Sequence, residues 1–545
     1  MTEAPPAALA TGLLDGLFSD AALAAIPVAM ILLSLAAATA IFPLREDAFR
    51  ARAIINLTAA AAKVALVVLL FPVVLDTGVR PEFRLSILPG LDLLLRVDPI
   101  SLLFASLSAV LWLLTTIYAI GYLRGTAAQS RFFGFFSLCV TATVGIAFAG
   151  NLLTFLVFFE MLTLVTYPLV AHWGTAASLA AARLYLRYAM GGGLALLIGV
   201  IWLHAYAGEV DFVTGGSEGV VQLAAEQPGV AVLIFVLLIG GVGVKAALIG
   251  LHGWLPKAMV APAPVSSLLH AVAVVKAGVF GIVRIVDDVF GIEVARELGV
   301  LTPLLIVASA TILYGSYQAL RQSDLKARLA YSTVSQVSYV TLGLVLATVA
   351  GTTGGLVHLV HQGVMKITMF FCAGLFKETM DVSRVEQMNG LGARMPLASA
   401  AFTVAGMGMI GLPPTAGFIS KWQLGMGAAE SEHVWVLGVL IASSLLNAAY
   451  FLPVIYRIWF RDPDDDVTAA AREAGARAVT TEDLKAAEGE DTGATAGAHV
   501  RVHEPRMMLV PALITAAAVL SLGLAASTPF SALDLARRVA EEVFR

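Results

Sequence analysis

The chain has 545 residues, of which 59% are hydrophobic and only 13% are charged, and its formal net charge is −4. Soluble domains are about half apolar and about a quarter charged, so this composition excludes a soluble enzyme, a nucleic-acid-binding protein and a disordered scaffold. Both cysteines, Cys139 and Cys372, lie in apolar runs, which argues against a disulfide framework or a metal cluster. The composition predicts an all-α polytopic membrane protein.

Fourteen apolar segments are long enough to cross a bilayer, which takes about 20 helical residues. They lie near 21–43, 53–75, 99–122, 132–150, 152–171, 178–206, 229–252, 263–286, 300–320, 328–349, 353–376, 397–428, 434–459 and 507–526. No basic region precedes the first segment, so we expect a permanent span rather than a cleaved signal peptide. The even number of spans predicts that both termini lie on one side of the membrane.

The distribution of basic residues predicts which side this is. Loops after odd-numbered spans carry fourteen Lys and Arg residues, whereas short loops after even-numbered spans carry five. Because basic loops stay in the cytoplasm, we expect both termini on the outer face.

Three segments outside the spans have a recognisable pattern. Residues 77–98 alternate apolar and polar side chains around Pro89-Gly90, which predicts an outer β-hairpin. Residues 461–505 are acidic and predict a cytoplasmic linker, and the tail 531–545 predicts an amphipathic helix at the membrane surface. The predicted domains are 1–98 (first spans and hairpin), 99–290 (first antiporter-like half), 291–460 (second half), 461–505 (acidic loop) and 506–545 (last span and tail).

Ionisable side chains inside the predicted spans are the candidate functional residues, since a charge at the bilayer centre costs at least about 2.5–3.5 kcal/mol. The candidates are Glu160, Lys245, His270, Lys276, His358, His361, Lys366 and Lys421. For His270 and His358, a satisfied interior histidine is an equally good interpretation. Lys63 lies about ten residues into its span, and we expect it to snorkel to the surface. The other groups are typical of a hydrated relay that loads and unloads protons.

Two spans contain helix-breaking residues. The seventh has Gly240, Gly241 and Gly243, and the twelfth has Gly411 with Pro413-Pro414. Paired interruptions of this kind are typical of inverted-repeat transporters with sites at the membrane midplane. We therefore expect two inverted five-helix repeats, spans 4–8 and 9–13, with broken seventh and twelfth helices.

Three stretches within residues 98–460 carry a family resemblance: HGWLPKAMVAPAPVSSLLHAVAVVKAG (252–278), DLKARLAYSTVSQVSYVTLG (324–343) and GLPPTAGFISKW (411–422). They resemble the antiporter-like subunits of complex I, of Mrp cation/proton antiporters and of membrane-bound hydrogenases. The resemblance implies that Glu160 pairs with Lys245 and that Lys276 is the connecting lysine. It implies that Lys421 is the terminal site, where the lysine favours the Mrp D-type subunit. His361 with Lys366 resembles the eleventh-span histidine element, although the neighbouring Gln362 departs from relatives that have His or Asp.

The resemblance implies a proton-translocating subunit of a multisubunit monovalent cation (Na⁺ or K⁺)/proton antiporter in a bacterial or archaeal cell (inner) membrane. A proton-pumping subunit of a redox-driven complex, of the complex I or hydrogenase type, is the alternative. The expected partners are the other subunits of a hetero-oligomeric membrane complex, the lipid bilayer, protons and monovalent cations. We expect no catalytic residue, cofactor, metal or nucleic acid. Two rival hypotheses are a structural scaffold with vestigial charges and a redox subunit that binds quinone or metal.

Overall fold

The computed structural model describes residues 19–462 and 502–545, and its helices follow the predicted spans in order. Helices 1–7 are Asp20–Ile41, Phe49–Leu75, Pro99–Tyr122, Gln129–Phe148, Leu152–Val170, Ala176–Ala207 and Pro228–Lys245. Helices 8–14 are Ala263–Phe290, Leu301–Leu320, Leu325–Val345, Val349–Met380, Pro396–Ile410 with Ala416–Glu430, Val436–Phe460 and Arg506–Leu524. Short helices are Glu218–Glu226, Trp254–Lys257, Ile292–Glu297, Leu391–Arg394 and Ala532–Val543, and 3₁₀ turns are Ala258–Val260 and Val385–Met388.

The prediction of an all-α polytopic membrane protein is confirmed. Twelve helices among the described residues are long and apolar enough to cross a membrane. The two remaining predicted segments are also helical, but helix 10 is rich in Ser and Thr, and helix 12 consists of two pieces of 15 residues each. The arrangement as inverted repeats and the domain boundaries stay predictions.

Helix 7 is interrupted, but not where its glycines suggested. The regular helix continues to Lys245, and the chain then turns through Ala247 and Gly250, whose φ angles are 58° and 84°. The predicted break at 240–243 is wrong in position, because the helix stays regular through these residues, and Gly241 serves close packing instead. A Cβ added at Gly241 would lie 2.7 Å from the Cβ of Leu196 in helix 6.

Helix 12 is broken at the predicted place, and helix 8 contains a break that the sequence did not reveal. The first half of helix 12 ends at Ile410, and Gly411 follows in the left-handed region with φ 95°. In helix 8 the regular α-helix stops at Ala271 and resumes at Val274, and its last turn, Arg284–Phe290, widens into a π-helix. The helix 8 break separates His270 from Lys276, the two predicted site residues of that span.

Helices 8 and 11 form the centre of the molecule. Every residue of helix 8 is buried, and so is almost every residue of helix 11 between 351 and 376. Helix 11 packs against helices 8, 10, 12 and 14. Side chains on these two helices therefore face protein rather than lipid.

The predicted β-hairpin is confirmed, with antiparallel strands Glu82–Leu88 and Leu91–Arg96. Arg84 pairs with Asp92 at 3.1 Å and with Asp211 at 2.5 Å, so the hairpin neutralises part of the acidic loop 208–227. We call this end of the bundle the hairpin side.

The tail forms the predicted helix, Ala532–Val543, and its apolar face packs on helices 3 and 11. The predicted acidic linker lies almost entirely outside the described residues.

Candidate functional site

Lys245 is the last residue of helix 7 and is 1% exposed. Its Nζ donates a hydrogen bond to the carbonyl oxygen of Phe159 in helix 5, and it lies 3.4 Å from the centroid of the Phe159 ring. The position favours a cation for two reasons. The carbonyl groups at the C-terminal end of helix 7 carry partial negative charge, and the face of the Phe159 ring attracts cations.

Glu160 follows Phe159 and is half-buried. Its carboxylate rests against helix 6 at Gly193, where an added Cβ would lie 2.7 Å from Oε2, and its Oε1 has no hydrogen-bond partner among the described residues. The Glu160 and Lys245 charges interact electrostatically, but the ammonium binds the backbone of helix 5 rather than the carboxylate. The structure thus brings the two residues together as neighbours without a direct ion pair.

Lys276 is fully buried on helix 8, and its Nζ donates a 2.7 Å hydrogen bond to the carbonyl oxygen of Leu359 in helix 11. Two residues further along, Gly278 lies against the backbone of Lys245 and Ala246, where helix 7 is interrupted. Lys276 therefore lies between the end of helix 7 and the middle of helix 11.

His358 connects helix 11, where Lys276 binds, to helix 12. Its Nδ1 lies 2.8 Å from Oγ of Ser420, while Nε2 has no partner in the part of the chain that the structure describes. The residue after Ser420, Lys421, donates to the carbonyl oxygens of Met409 and Ile410 at 3.0 and 2.8 Å. These carbonyls end the first half of helix 12, so the break in this helix exposes the acceptors that bind the lysine.

The other three predicted residues lie beside this path. Lys366 donates to Oγ of Ser332 in helix 10, and Nδ1 of His361 has no partner in the described ranges. His270 packs on Phe370 with 4.7 Å between ring centroids, and neither of its ring nitrogens makes a hydrogen bond there. The structure therefore does not connect His270 to the lysines by hydrogen bonds.

Helix 10 contributes uncharged polar side chains that are not among the predicted site residues. Ser332, Gln336 and Tyr339 are buried and follow the spacing i, i+4, i+7, which places them on one face. The Lys421 ammonium lies 5.6 Å from the centre of the Tyr339 ring. Neither amide atom of Gln336 nor the Tyr339 hydroxyl has a partner in residues 19–462 and 502–545, and buried polar groups of this kind normally bind ordered water. The sequence signal that identifies these residues is the polar face that they form on helix 10.

Lys63 was also misjudged, because the expected snorkelling does not occur. The side chain is fully buried, Nζ donates to Oγ of Ser34 at 2.8 Å, and it lies 4.8 Å from the Trp112 ring. A single-helix pattern could not reveal this, since the burial comes from packing of helices 1 and 3.

The three lysines of the path share one chemical property. Lys245, Lys276 and Lys421 bind carbonyl or hydroxyl oxygens, so removing or adding a proton on them breaks no direct ion pair. Lysine amines and imidazoles at successive helices are suited to passing protons, with water completing the unpartnered positions. Within the described ranges, no group of three or more His, Cys, Asp or Glu residues is placed to hold a metal ion.

Comparison with known proteins gives a consistent result. A family model described as NADH:quinone oxidoreductase/Mrp antiporter, TM, matches residues 149–447, and one described as NADH-ubiquinone oxidoreductase (complex I), chain 5 N-terminus, matches residues 90–133. The chain is 34% identical over 442 residues to NADH-quinone oxidoreductase subunit N of Desulforudis audaxviator, covering 80% of this chain and 82% of that protein.

A second relative is a longer protein of Rhizobium meliloti, described as a probable component of a K⁺/H⁺ antiporter, which is 30% identical over 414 residues. The match covers 74% of this chain but only 40% of that protein. Among solved structures, a chain of the Mrp complex from Dietzia sp. DQ12-45-1b has the same fold, with a TM-score of 0.79 and 23% identity over 96% of this chain and 97% of that chain.

Proposed function

The chain belongs to the NADH:quinone oxidoreductase/Mrp antiporter family, and from this premise we propose that it is the proton-translocating subunit of a multisubunit monovalent cation (Na⁺ or K⁺)/proton antiporter. One observation carries the proposal. Ionisable side chains on helices 5, 7, 8, 11 and 12 follow one another through the buried centre, and each break in a helix lies beside one of them.

The proposed path begins at Lys245, with Glu160 as its neighbour, and continues to Lys276. The hydrogen bond from Lys276 to Leu359 leads to the adjacent His358, and the contact between His358 and Ser420 leads to Lys421. Water at the unpartnered polar atoms bridges the remaining gaps. In the orientation predicted from the basic loops, protons enter from the cytoplasm and leave outward, and both termini lie on the outer face.

Glu160 and Lys245 form the proposed switch. In the separated arrangement the ammonium binds the Phe159 carbonyl, whereas a direct ion pair would hold the proton on the lysine. Alternation between the two arrangements would load the site and then release the proton toward Lys276.

The test uses the complete complex in inside-out membrane vesicles, with a pH-sensitive dye that reports proton movement after addition of Na⁺ or K⁺. We expect Lys245→Met, Lys276→Met and Lys421→Met each to lower the rate by about a hundredfold, the low end of what a positioned proton-transfer group contributes. Lys257→Met is the matched control, because Lys257 is exposed and lies in the short helix that follows the helix 7 break. Full transport by the Lys245 and Lys276 variants would contradict the proposal.

A second candidate is the proton-pumping subunit of a redox-driven complex. It is favoured by the Desulforudis audaxviator relative, which this chain matches over 82% of its length, whereas the match to the Rhizobium antiporter protein covers 40%. Two measurements separate the candidates. Proton movement driven by a cation gradient without a reductant supports the antiporter, and movement that requires an electron donor supports the redox pump.

The partner subunits give an independent answer. We propose that the chain works in a hetero-oligomeric membrane complex, and mass spectrometry of the native complex identifies its neighbours. Small hydrophobic antiporter subunits would support exchange of cations, and iron–sulfur or nickel subunits would support a redox-driven pump.

A further inference from the structure

A small cavity lies on the hairpin side, at the end of helix 8 and beneath the C-terminal helix Ala532–Val543. Its volume is about 20 Å³, which is enough for one water molecule. The charged side chains that line it are Arg80, Asp98, Arg284, Asp287, Asp288 and Glu542. It contains none of the residues of the path proposed above.

Two of these carboxylates are bound by one arginine. Arg284 is 2% exposed, and its Nη1 lies 2.9 Å from Asp98 Oδ2 and 2.7 Å from Asp288 Oδ2. The central guanidinium carbon also lies 5.2 and 5.1 Å from the ring centroids of Phe212 and Phe280. Asp98 and Asp288 therefore both bind Arg284, whose Nε has no hydrogen-bond partner among the described residues.

Asp287 is different, because it is buried without a partner. It is 1% exposed, and in the part of the chain that the structure describes neither of its carboxylate oxygens has a hydrogen-bond partner. Asp288 is its neighbour in the chain and carries a like charge. An ionised carboxylate is very unfavourable in such surroundings, whereas the neutral acid avoids most of that cost.

The C-terminal helix closes the cavity through Val539, Glu542 and Val543. Its buried face, which includes Leu535 and Ala536, packs on the bundle, and Glu542 forms an ion pair with Arg80. That ion pair is partly exposed to solvent, so it contributes little and weakens in salt. The apolar face, which also includes Val539 and Ala540, therefore provides most of the attachment of this helix to the bundle.

We propose that Asp287 is a proton-exchange site controlled by the C-terminal helix. While the helix covers the cavity, Asp287 holds a proton. When the helix moves away, the Asp287 O–H bond breaks, water on the hairpin side takes the proton, and the carboxylate becomes hydrated. Docking of the helix and protonation of Asp287 are therefore linked, and the link does not depend on which ions the lysine path carries.

The test measures access to the buried face of the C-terminal helix as a function of pH. Val539→Cys places a thiol on that face, Glu541→Cys places an exposed reference on the same helix, and the two native cysteines are replaced by Ala. The full chain in its native membrane is labelled with a water-soluble maleimide. The ratio of the two labelling rates removes the pH dependence of the thiol reaction itself.

We expect this ratio to rise by up to about tenfold per pH unit over the range in which Asp287 ionises, the slope for release of one proton. Asp287→Asn, which imitates the protonated acid, should give a low ratio at every pH, and Asp287→Glu should restore the slope. Glu293→Gln changes an exposed carboxylate just beyond the cavity and should leave the slope unchanged.

Three results overturn the proposal: a ratio that does not change with pH in the parent, which keeps Asp287, a ratio that does not change with pH in the Asp287→Glu variant, or the same slope in the Asp287→Asn variant. If the Asn variant does not fold, the parent and the Glu variant still decide, because a pH-independent ratio in either refutes the link. A Lys245→Met variant with the normal slope would show that this site stands even if the proposed transport path fails.

Discussion

Gly278→Ala tests whether the contact between helix 8 and the helix 7 break positions Lys245. A Cβ at residue 278 would lie 2.5 Å from the carbonyl carbon of Lys245 and closer still to the amide nitrogen of Ala246. Real Cβ atoms keep at least 3.0 Å from such atoms, so the contact with Lys245 alone requires a separation of 0.5 Å, and the tighter contact with Ala246 requires more. The atoms in the way are backbone atoms, which cannot rotate aside.

The expected effect on transport is larger than the effect on stability. Overpacking of a buried contact costs about 1–3 kcal/mol, and replacing a helical glycine by alanine returns up to about 1 kcal/mol. The displaced backbone carries Lys245 away from the Phe159 carbonyl, and a misplacement on the ångström scale lowers the rate of a positioned reaction by about a hundredfold. We therefore expect an assembled complex with little cation-coupled proton transport.

The assay combines dye-monitored transport in vesicles with thermal unfolding of the purified complex. Gly240→Ala is the matched control, because an added Cβ on this helix 7 glycine meets nothing within 4 Å. The control should keep its transport and unfold at the same or a slightly higher temperature. Gly278→Ala with the transport rate and stability of the parent would refute the idea that this contact sets the position of Lys245.

Three further predictions concern other contacts. In Gly193→Ala the new methyl group would lie 2.6 Å from Cδ of Glu160 and would push this carboxylate aside. Because the carboxylate is the flexible end of its side chain, proton transport should fall while the unfolding temperature stays within the error of the parent. In Arg284→Met the Asp98 carboxylate loses its partner, and denaturation of the complex should show a loss of about 3–5 kcal/mol; an unchanged stability would contradict the buried ion pair. Burial, with the neighbouring guanidinium of Arg131, lowers the pKa of His172 from 6.5 to about 4. The stabilising contribution of the neutral imidazole is therefore complete above about pH 6.5 and is lost as the pH falls toward 4. His172→Phe should flatten the decline of the unfolding temperature over this range, and an unaltered decline would contradict this role of His172.

The sequence predicted the helices and most of the candidate site because both depend on local pattern. Runs of about 20 apolar residues define the helices, and alternation around Pro89-Gly90 defines the hairpin. Charges within such runs singled out Glu160 and the lysines, since a charge in hydrocarbon needs a functional reason. The proline pair likewise located the break of helix 12.

What only the tertiary structure decided is how residues far apart in the chain meet. Lys63 is buried because helices 1 and 3 cover it, and no pattern within helix 2 carries that information. The helix 7 break falls after Lys245 because contacts with helices 5 and 8 stabilise it there, while Gly241, one of the glycines that suggested an earlier break, serves packing against helix 6. The same holds for Arg284, whose partner Asp98 lies 186 residues away in the chain, and for Asp287, which the fold leaves without a partner among the described residues. Hydropathy determines that a segment is a buried helix, but the partner of each polar group depends on neighbours that are distant in sequence.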